Sequence, residues 1–300
     1  MLSFLPAPII GCIVFTLLVV NLLCWAVPVY LLIFLKLLTW GQARIVVSRW
    51  VAATAQQWAH CNTLIWNACL PIEWDFRGVE ALDRNGQYLV VSNHQSWNDI
   101  FVQLEAFDRR APFFKFFMKQ QLIWVPVLGL AWWGLDFPFM KRHSPEQIKK
   151  NPALRGQDLE TTRAACEKYR HMPVTILNFL EGTRFRPEKH VRQQSPYKHL
   201  LKPKAGGFAF AIAAMGENLH CMLDITIVYP DGANEFWDFV CGRVRRVVCE
   251  VRKVEIPREF FHSDYNEDAE YRQQIKAWVE GLWWEKDQRI TELLAETNTQ

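Results

Sequence analysis

Charged side chains are absent from the start of this 300-residue chain, since no Asp, Glu, Lys, Arg or His precedes Lys36. The uncharged run exceeds the roughly 20 residues that span a bilayer core, yet it is short for two spans and a turn. It also lacks a basic n-region and a clear small-residue cleavage site, which argues against a cleaved signal peptide. We therefore predict an uncleaved anchor, either one tilted span or a shallow hairpin bent near Pro28, with a buried soluble helix as the alternative.

Metal-ligand spacing is also missing. The eight cysteines form no C-x-x-C pair, and no close Cys or His pairs have the spacing of zinc ligands. This excludes a zinc-finger type of site and indicates small buried thiols of a reducing compartment. A net charge of +3 is too small to argue for nucleic acid, and we find no internal repeat or low-complexity segment. We predict no metal site and no nucleic-acid partner.

What the chain does contain is an alternation of apolar strand-like runs with helical patterns after residue 70, which indicates an α/β domain. The predicted strands are 87–92, 135–140, 174–179, 222–229 and 244–256. The predicted helices are 99–107, 113–122, 158–169, 205–215 and 269–296. We expect a mixed sheet flanked by helices, preceded by a membrane-anchoring helix or helical hairpin. We divide the chain into a membrane anchor with an interfacial helix (1–70), the α/β domain (71–260) and a C-terminal helix (261–300).

A polar cluster follows the predicted strand 87–92, where the sequence VVSNHQSWNDI places Asp99 five residues after His94. On one continuous helix these side chains would point about 140° apart. They can meet if His94 lies in the loop and Asp99 in the first turn of the next helix, where its charge is favoured. A histidine held this way can take a proton from an alcohol at neutral pH. Taken singly, a His and an Asp at this spacing are usually just a capped helix start.

A second polar cluster, Glu181-Gly182-Thr183-Arg184, follows the predicted strand 174–179 after Phe179 and Leu180. Together, and in this order, Asn93-His94-x4-Asp99 and FLEGTR resemble the glycerolipid acyltransferases that include lysophosphatidic acid acyltransferase. The likeness extends to the segments 125–129, 137–142 and 224–227, and it covers roughly residues 80–230.

The resemblance implies roles for particular residues. His94 would be the general base and Asp99 its partner. The acceptor's glycerophosphate would be bound by Glu181, Gly182, Thr183 and Arg184. Arg142 matches a basic residue of the family, Lys141 adds a second cation, and Lys204 belongs to the basic stretch after Arg184.

The implied reaction moves a fatty acyl group from acyl-CoA or acyl-carrier protein to the sn-2 hydroxyl of lysophosphatidic acid, giving phosphatidic acid. The donor is a substrate, so no cofactor is expected. Another lysophospholipid could be the acceptor. Partners are then the phospholipid bilayer, the acceptor and the donor. Because Lys36, Arg44 and Arg49 follow the apolar run, we expect the α/β domain to lie in the cytoplasm. With the resemblance, this implies a membrane location, the bacterial inner membrane being the one expected.

A second largely apolar run covers residues 122–140 and contains a single charge, Asp136. A membrane span there would separate His94 from Glu181 across the bilayer, and two prolines and two glycines interrupt it. We predict instead a helix and a strand docked at the membrane surface.

The sequence also leaves other functions open. A non-catalytic membrane protein could use a basic, tryptophan-rich surface to bind anionic lipids. A metal-dependent hydrolase could use His94 and Asp99 as ligands, although further ligands are not evident. An acylated Ser96 is a weaker option because no G-x-S-x-G surrounds it.

Overall fold

The computed structural model describes residues 2–140, 169, 172–216, 219, 221–233, 235–261 and 268–298. The predicted helix 158–169 therefore lies outside the described residues, apart from its last residue. Element labels below count the described elements in chain order.

Two long helices form a hairpin ahead of the α/β part, α1 (Ala7–Leu37) and α2 (Gly41–Cys69). Helix α1 continues through Pro28, so the predicted bend there is wrong, and the chain reverses at residues 38–40 instead. Proline removes one backbone donor from a helix. The packing of α1 along α2 outweighs that loss. Between the helices, the buried Asn21 amide donates a hydrogen bond of 2.8 Å to Asn62 Oδ1.

Helix α1 is, among the described residues, the one helix long and apolar enough to cross a membrane. Its outer face exposes apolar side chains such as Leu31 and Phe34. Both of its ends contact the α/β part. Near the first end Phe15 packs against Phe236, and at the other end Lys36 donates to the Gly134 carbonyl at 2.9 Å. The hairpin therefore lies along the α/β part.

The described strands form one six-stranded sheet and one two-stranded sheet. They are β1 (Glu73–Arg77), β2 (Gln87–Ser92), β3 (Phe114–Phe116), β4 (Met118–Lys119), β5 (Phe139–Met140), β6 (Val174–Phe179), β7 (Cys221–Val228) and β8 (Arg246–Glu255). The larger sheet has the order β1-β8-β7-β2-β6-β3, and every neighbouring pair is parallel except β7 with β8. The small sheet pairs β4 with β5. The predicted mixed sheet is confirmed.

Helices cover both faces of the larger sheet. They are α3 (Asp99–Phe107), α4 (Leu128–Gly134), α5 (Pro187–Gln193), α6 (Ala205–Met215), α7 (Phe236–Val240) and α8 (Ala269–Asn298). Because successive strand residues point to opposite faces, β2 serves two cores. Leu89 packs in the core that contains α6 and α8, whereas Val90 packs in the core that contains α2, α3 and α7.

Two sequence-based assignments are wrong. The segment 113–122, predicted as a helix, contains β3 and β4, and β3 extends the sheet by pairing with β6. Aromatic residues are favoured in strands, and the edge of the sheet at β6 is available to pair with this segment. In 135–140 only the last two residues form a strand. The run 122–140 as a whole is a short helix and a strand, as predicted, and contains no long helix.

The close contact between α1 and α4 gives a stability test. A Cβ added to Gly134 would come within 2.2 Å of the buried Ile33 side chain, so we expect Gly134→Ala to cost about 1–3 kcal/mol through overpacking. The melting temperature in detergent should fall. As a control, Gly281→Ala on α8 adds a Cβ that meets nothing within 4 Å, and it should not destabilise the protein. An unchanged melting temperature for Gly134→Ala would contradict this packing.

Candidate active site

A histidine and an aspartate meet where β2 ends. His94 lies in the loop just beyond Ser92, and Asp99 is the first residue of α3. The His94 Nδ1 atom is 2.8 Å from Asp99 Oδ2. This is the loop-and-helix arrangement that the five-residue spacing requires.

The Asp99 carboxylate is completely buried, and four donors surround it. Besides the His94 ring, Oδ2 accepts the backbone N–H groups of Gln95 at 2.7 Å and Ser96 at 3.0 Å. The other oxygen, Oδ1, accepts the Tyr229 hydroxyl at 2.7 Å. Burial raises the pKa of Tyr229 well above its ordinary value, so the phenol keeps the proton that it donates. Hydrogen bonds to an ionised carboxylate are the strong kind, and they compensate its loss of water.

The His94 ring is held on a second side. It stacks on Phe179, the last residue of β6, with ring centroids 3.9 Å apart. Since Nδ1 donates to Asp99, the neutral imidazole carries its lone pair on Nε2. Among the described residues Nε2 has no hydrogen-bond partner, which leaves it available to a substrate proton.

Glu181 lies at the end of the neighbouring strand and holds the backbone of His94. Its Oε1 accepts the His94 N–H at 2.9 Å, and its Oε2 accepts the Leu201 N–H at 3.0 Å. Burial raises the pKa of Glu181 to about 8, while the two backbone donors act in the opposite direction. Both oxygens are thus engaged by backbone, and the geometry gives Glu181 a positioning part beside the acceptor role that the resemblance implies.

The rest of the Glu181–Arg184 motif lies in a basic rim, which is formed by Arg184, Lys189 and Lys204. Gly182 adopts a left-handed φ of 67°, and the Lys204 ammonium lies 3.1 Å from the point where a Cβ would stand. Lys189 donates to Thr183 Oγ1 at 2.5 Å. The Arg184 guanidinium lies 4.7 Å from the centre of the Trp97 ring. Cations therefore surround this turn.

The rim is only partly neutralised. Arg184 is 3.4 Å from a carboxylate oxygen of Glu235, which also pairs with Arg186. Desolvation, together with the nearby charges of the arginines, lowers the pKa of Lys189. Lys141 and Arg142, which the sequence also placed at the site, lie outside the described residues.

Several contributors were not found from the sequence. Tyr229 follows the last residue of β7, which runs parallel to β2. Its position at the end of a predicted strand is the signal that could have placed it near Asp99. Asn93 belongs to the sequence motif, but no role was predicted for it. Its side chain exchanges two hydrogen bonds with the backbone of Ile227, at 2.8 and 2.9 Å, and so ties β2 to β7 just before His94. No sequence signal pointed to Leu201.

Backbone amides beside the base are already engaged. The N–H groups of His94, Gln95 and Ser96 donate to the two carboxylates, and that of Gly182 donates to the Phe179 carbonyl at 2.9 Å. These four backbone donors therefore already have acceptors within the protein.

An apolar cleft of about 410 Å³ lies between the helical hairpin and the α/β part. Ile100 and Phe101, the residues next to Asp99, form part of its wall. Helix α1 contributes Leu22 and Ala26, and α4 contributes Ala131. The cleft thus runs from the start of α3 to the helix whose outer face is apolar.

Comparison with known proteins identifies the family of the chain. The profile of the Acyltransferase family matches residues 73–230, which include both motifs and their strands. Because this match covers more than half of the chain, the protein belongs to the acyltransferase family.

Named relatives are distant. The 1-acyl-sn-glycerol-3-phosphate acyltransferase delta of Mus musculus is 28% identical over 182 residues, covering 58% of this chain and 43% of that protein. The 1-acyl-sn-glycerol-3-phosphate acyltransferase 3 of Arabidopsis thaliana is 25% identical, covering 54% and 44%. The chain thus spans less than half the length of these relatives. The crystal structure of the 1-acyl-sn-glycerophosphate acyltransferase PlsC of Thermotoga maritima is 16% identical, with a TM-score of 0.48 and coverage of 88% and 97%.

The raised pKa of Glu181 predicts a pH-dependent stability. A carboxyl whose pKa rises from 4.5 to about 8 on folding stabilises the fold fully below pH 4.5, and this contribution is lost as pH rises through 8. Between about pH 6 and about pH 9 the wild type should lose about 3 kcal/mol relative to Glu181→Gln, which cannot titrate. Melting temperatures in detergent measure this difference. Glu188→Gln on the exposed side of α5 is the control and should follow the wild type. Parallel pH profiles of the wild type and Glu181→Gln would contradict the prediction.

Proposed function

We propose that the protein transfers a fatty acyl group from acyl-CoA or acyl-carrier protein to the sn-2 hydroxyl of lysophosphatidic acid, forming phosphatidic acid. The observation that carries this proposal is the His94–Asp99 pair, whose Nε2 atom has no hydrogen-bond partner among the described residues and whose loop borders a cationic turn. An apolar cleft begins at Ile100 and Phe101, next to Asp99. Membership of the acyltransferase family and the names of the distant relatives support it.

The pair can perform the transfer without a covalent enzyme intermediate. His94 Nε2 takes the proton of the acceptor hydroxyl while the hydroxyl oxygen bonds to the thioester carbon. Asp99 stabilises the resulting imidazolium through Nδ1. The C–S bond of the tetrahedral intermediate then breaks, and the departing thiolate receives the proton from His94. The base is thereby restored.

The basic rim supports a phosphate-bearing acceptor. A guanidinium binds two phosphate oxygens at once and stays charged, and the Arg184 guanidinium lies 4.7 Å from the centre of the Trp97 ring, in the loop that carries His94. Lys204, which is exposed, makes no ion pair with the described residues and sits over Gly182. An acceptor phosphate bound at this rim would lie close to the base.

The apolar cleft supports an acyl substrate. Nearly all of its lining side chains are hydrocarbon or aromatic, and burying each methylene of an acyl chain there would contribute about 0.8 kcal/mol. One wall is α1, whose opposite face is exposed and apolar. We infer that α1 attaches the protein to a lipid bilayer, so that a lipid substrate passes from the membrane to the cleft over a short path.

Removing the base tests the reaction. In membranes containing equal amounts of protein, His94→Ala should lower acyl transfer from labelled acyl-CoA to lysophosphatidic acid by at least about 10²-fold, because general-base catalysis contributes that much. Asp99→Asn should act in the same direction, since an amide cannot accept from four donors.

A second histidine–aspartate pair in the chain provides the matched control. His60 Nδ1 is 2.7 Å from Asp108 Oδ2, away from the strand ends, and His60→Ala should retain transfer. Retained activity in His94→Ala would remove this residue from the mechanism. Absence of product from the wild type, with several lysophospholipids and both donor types, would favour the lipid-binding alternative.

Filling the cleft tests where the acyl chain binds. Ala26 lines the cleft, whereas its neighbour Val27 is 60% exposed on the outer face of α1. We expect Ala26→Trp to shift the preferred donor towards shorter acyl chains, because the indole occupies volume that a long chain needs. Val27→Trp should leave the preference unchanged. The kcat/KM ratios for donors of several chain lengths measure the effect, and equal ratios in both variants would place the chain elsewhere.

A further inference from the structure

The C-terminal helix α8 buries polar and charged groups where a covering helix would bury only hydrocarbon. Trp283 and the Lys286 side chain are completely buried, and Asp287 is nearly so. Their neighbour Trp284 is 52% exposed. The helix lies beyond the residues 73–230 that the family profile matches, so the family match assigns it no part in the site.

One set of contacts leads from α8 to the base. The Trp283 indole N–H donates to the Leu201 carbonyl at 3.0 Å, and the Leu201 N–H donates to Glu181 Oε2 at 3.0 Å. The other oxygen of Glu181 accepts the N–H of His94 at 2.9 Å. Three hydrogen bonds thus connect a side chain of α8 with the backbone of His94.

The same helix fixes the segment in which Leu201 lies. The carboxylate of Asp287 accepts the backbone N–H groups of Lys198 at 2.8 Å and His199 at 2.7 Å. Both oxygens are used, one for each amide. Bonds from α8 therefore reach both the 198–199 backbone and the Leu201 carbonyl.

Lys286 holds the strand on the other side of His94. Its ammonium donates to the Ile225 carbonyl at 2.6 Å and lies 2.6 Å from Asp224 Oδ1. Ile225 is the β7 residue that pairs with Ser92 at the end of β2. Burying two charges removes them from water at a large free-energy cost, which a helix that only covers the sheet would avoid.

We propose that Trp283 and Lys286 are positioning residues of the active site, which α8 fixes from two sides. Trp283 acts through Leu201 and Glu181 on the His94 backbone, and Lys286 acts through Ile225 on the end of β2. This inference rests on the proposed function for its kinetic consequence. The placement of the His94 backbone does not depend on that function.

The test compares two neighbouring tryptophans. Trp283→Phe keeps an aromatic ring but removes the indole N–H that bonds Leu201, whereas Trp284→Phe changes an exposed ring. We expect Trp283→Phe to lower kcat by about fivefold or more with KM unchanged for both substrates, as the loss of one such hydrogen bond predicts. Hydrogen–deuterium exchange of the peptide containing the His94 amide should also become faster. Trp284→Phe should match the wild type in both.

A second variant removes the buried charges together. Lys286→Met with Asp224→Asn removes both charges of this pair, and so it avoids the large penalty of deleting only one of them. Arg252, which also pairs with Asp224, keeps its ion pair with Glu285. We expect kcat to fall by a similar factor with KM unchanged. The control is Lys276→Met with Glu280→Gln, which removes an exposed ion pair from the same helix and should leave kcat unchanged.

The outcomes separate the two proposals. If Trp283→Phe and the double variant both keep wild-type kcat and His94 amide exchange, the positioning role is overturned, even if the melting temperature falls. If the wild type transfers no acyl group but His94 exchange accelerates in Trp283→Phe, the proposed function fails and the positioning role stands.

Discussion

The site depends on keeping an ionised carboxylate inside the protein. Asp99 has no exposure to solvent, and its charge is tolerable because four donors converge on two oxygens. Each donor comes with a structural requirement. The amides of Gln95 and Ser96 need the loop to turn tightly into α3, and the Tyr229 hydroxyl needs β7 beside β2. The buried charge of Asp99 thus requires this loop geometry, the pairing of β7 with β2 and this orientation of the imidazole together.

Parallel pairing explains why two motifs far apart in sequence form one site. β2 and β6 are neighbours and run in the same direction, so their carboxyl ends meet at one edge, where α/β proteins commonly place their sites. His94 follows one strand and Phe179 ends the other, which permits the two rings to stack. Glu181 then crosses between the strand ends to reach the His94 backbone. A different strand order would separate these groups, whatever the motifs.

Much of this was accessible from the sequence because the signals were local. The strands 87–92 and 174–179 and the helix 99–107 were predicted with their observed bounds, since each combines an apolar run with a clear end. The contact of His94 with Asp99 followed from spacing. The strand pairing of 113–122 did not, because a neighbouring edge decided it. Leu201 and Lys286 were also out of reach, because their importance lies in contacts made across long sequence separations, which no spacing rule encodes.

The contribution of α8 has a consequence for how the protein is made. The groups that orient His94 are spread from α3 to α8, and Trp283 is translated long after the loop that it supports. During synthesis the apolar α1 leaves the ribosome well before α8 and can reach lipid while the base still lacks its backbone support. A nascent chain at the membrane is therefore expected to be inactive until α8 docks, which delays turnover until this part of the protein has folded.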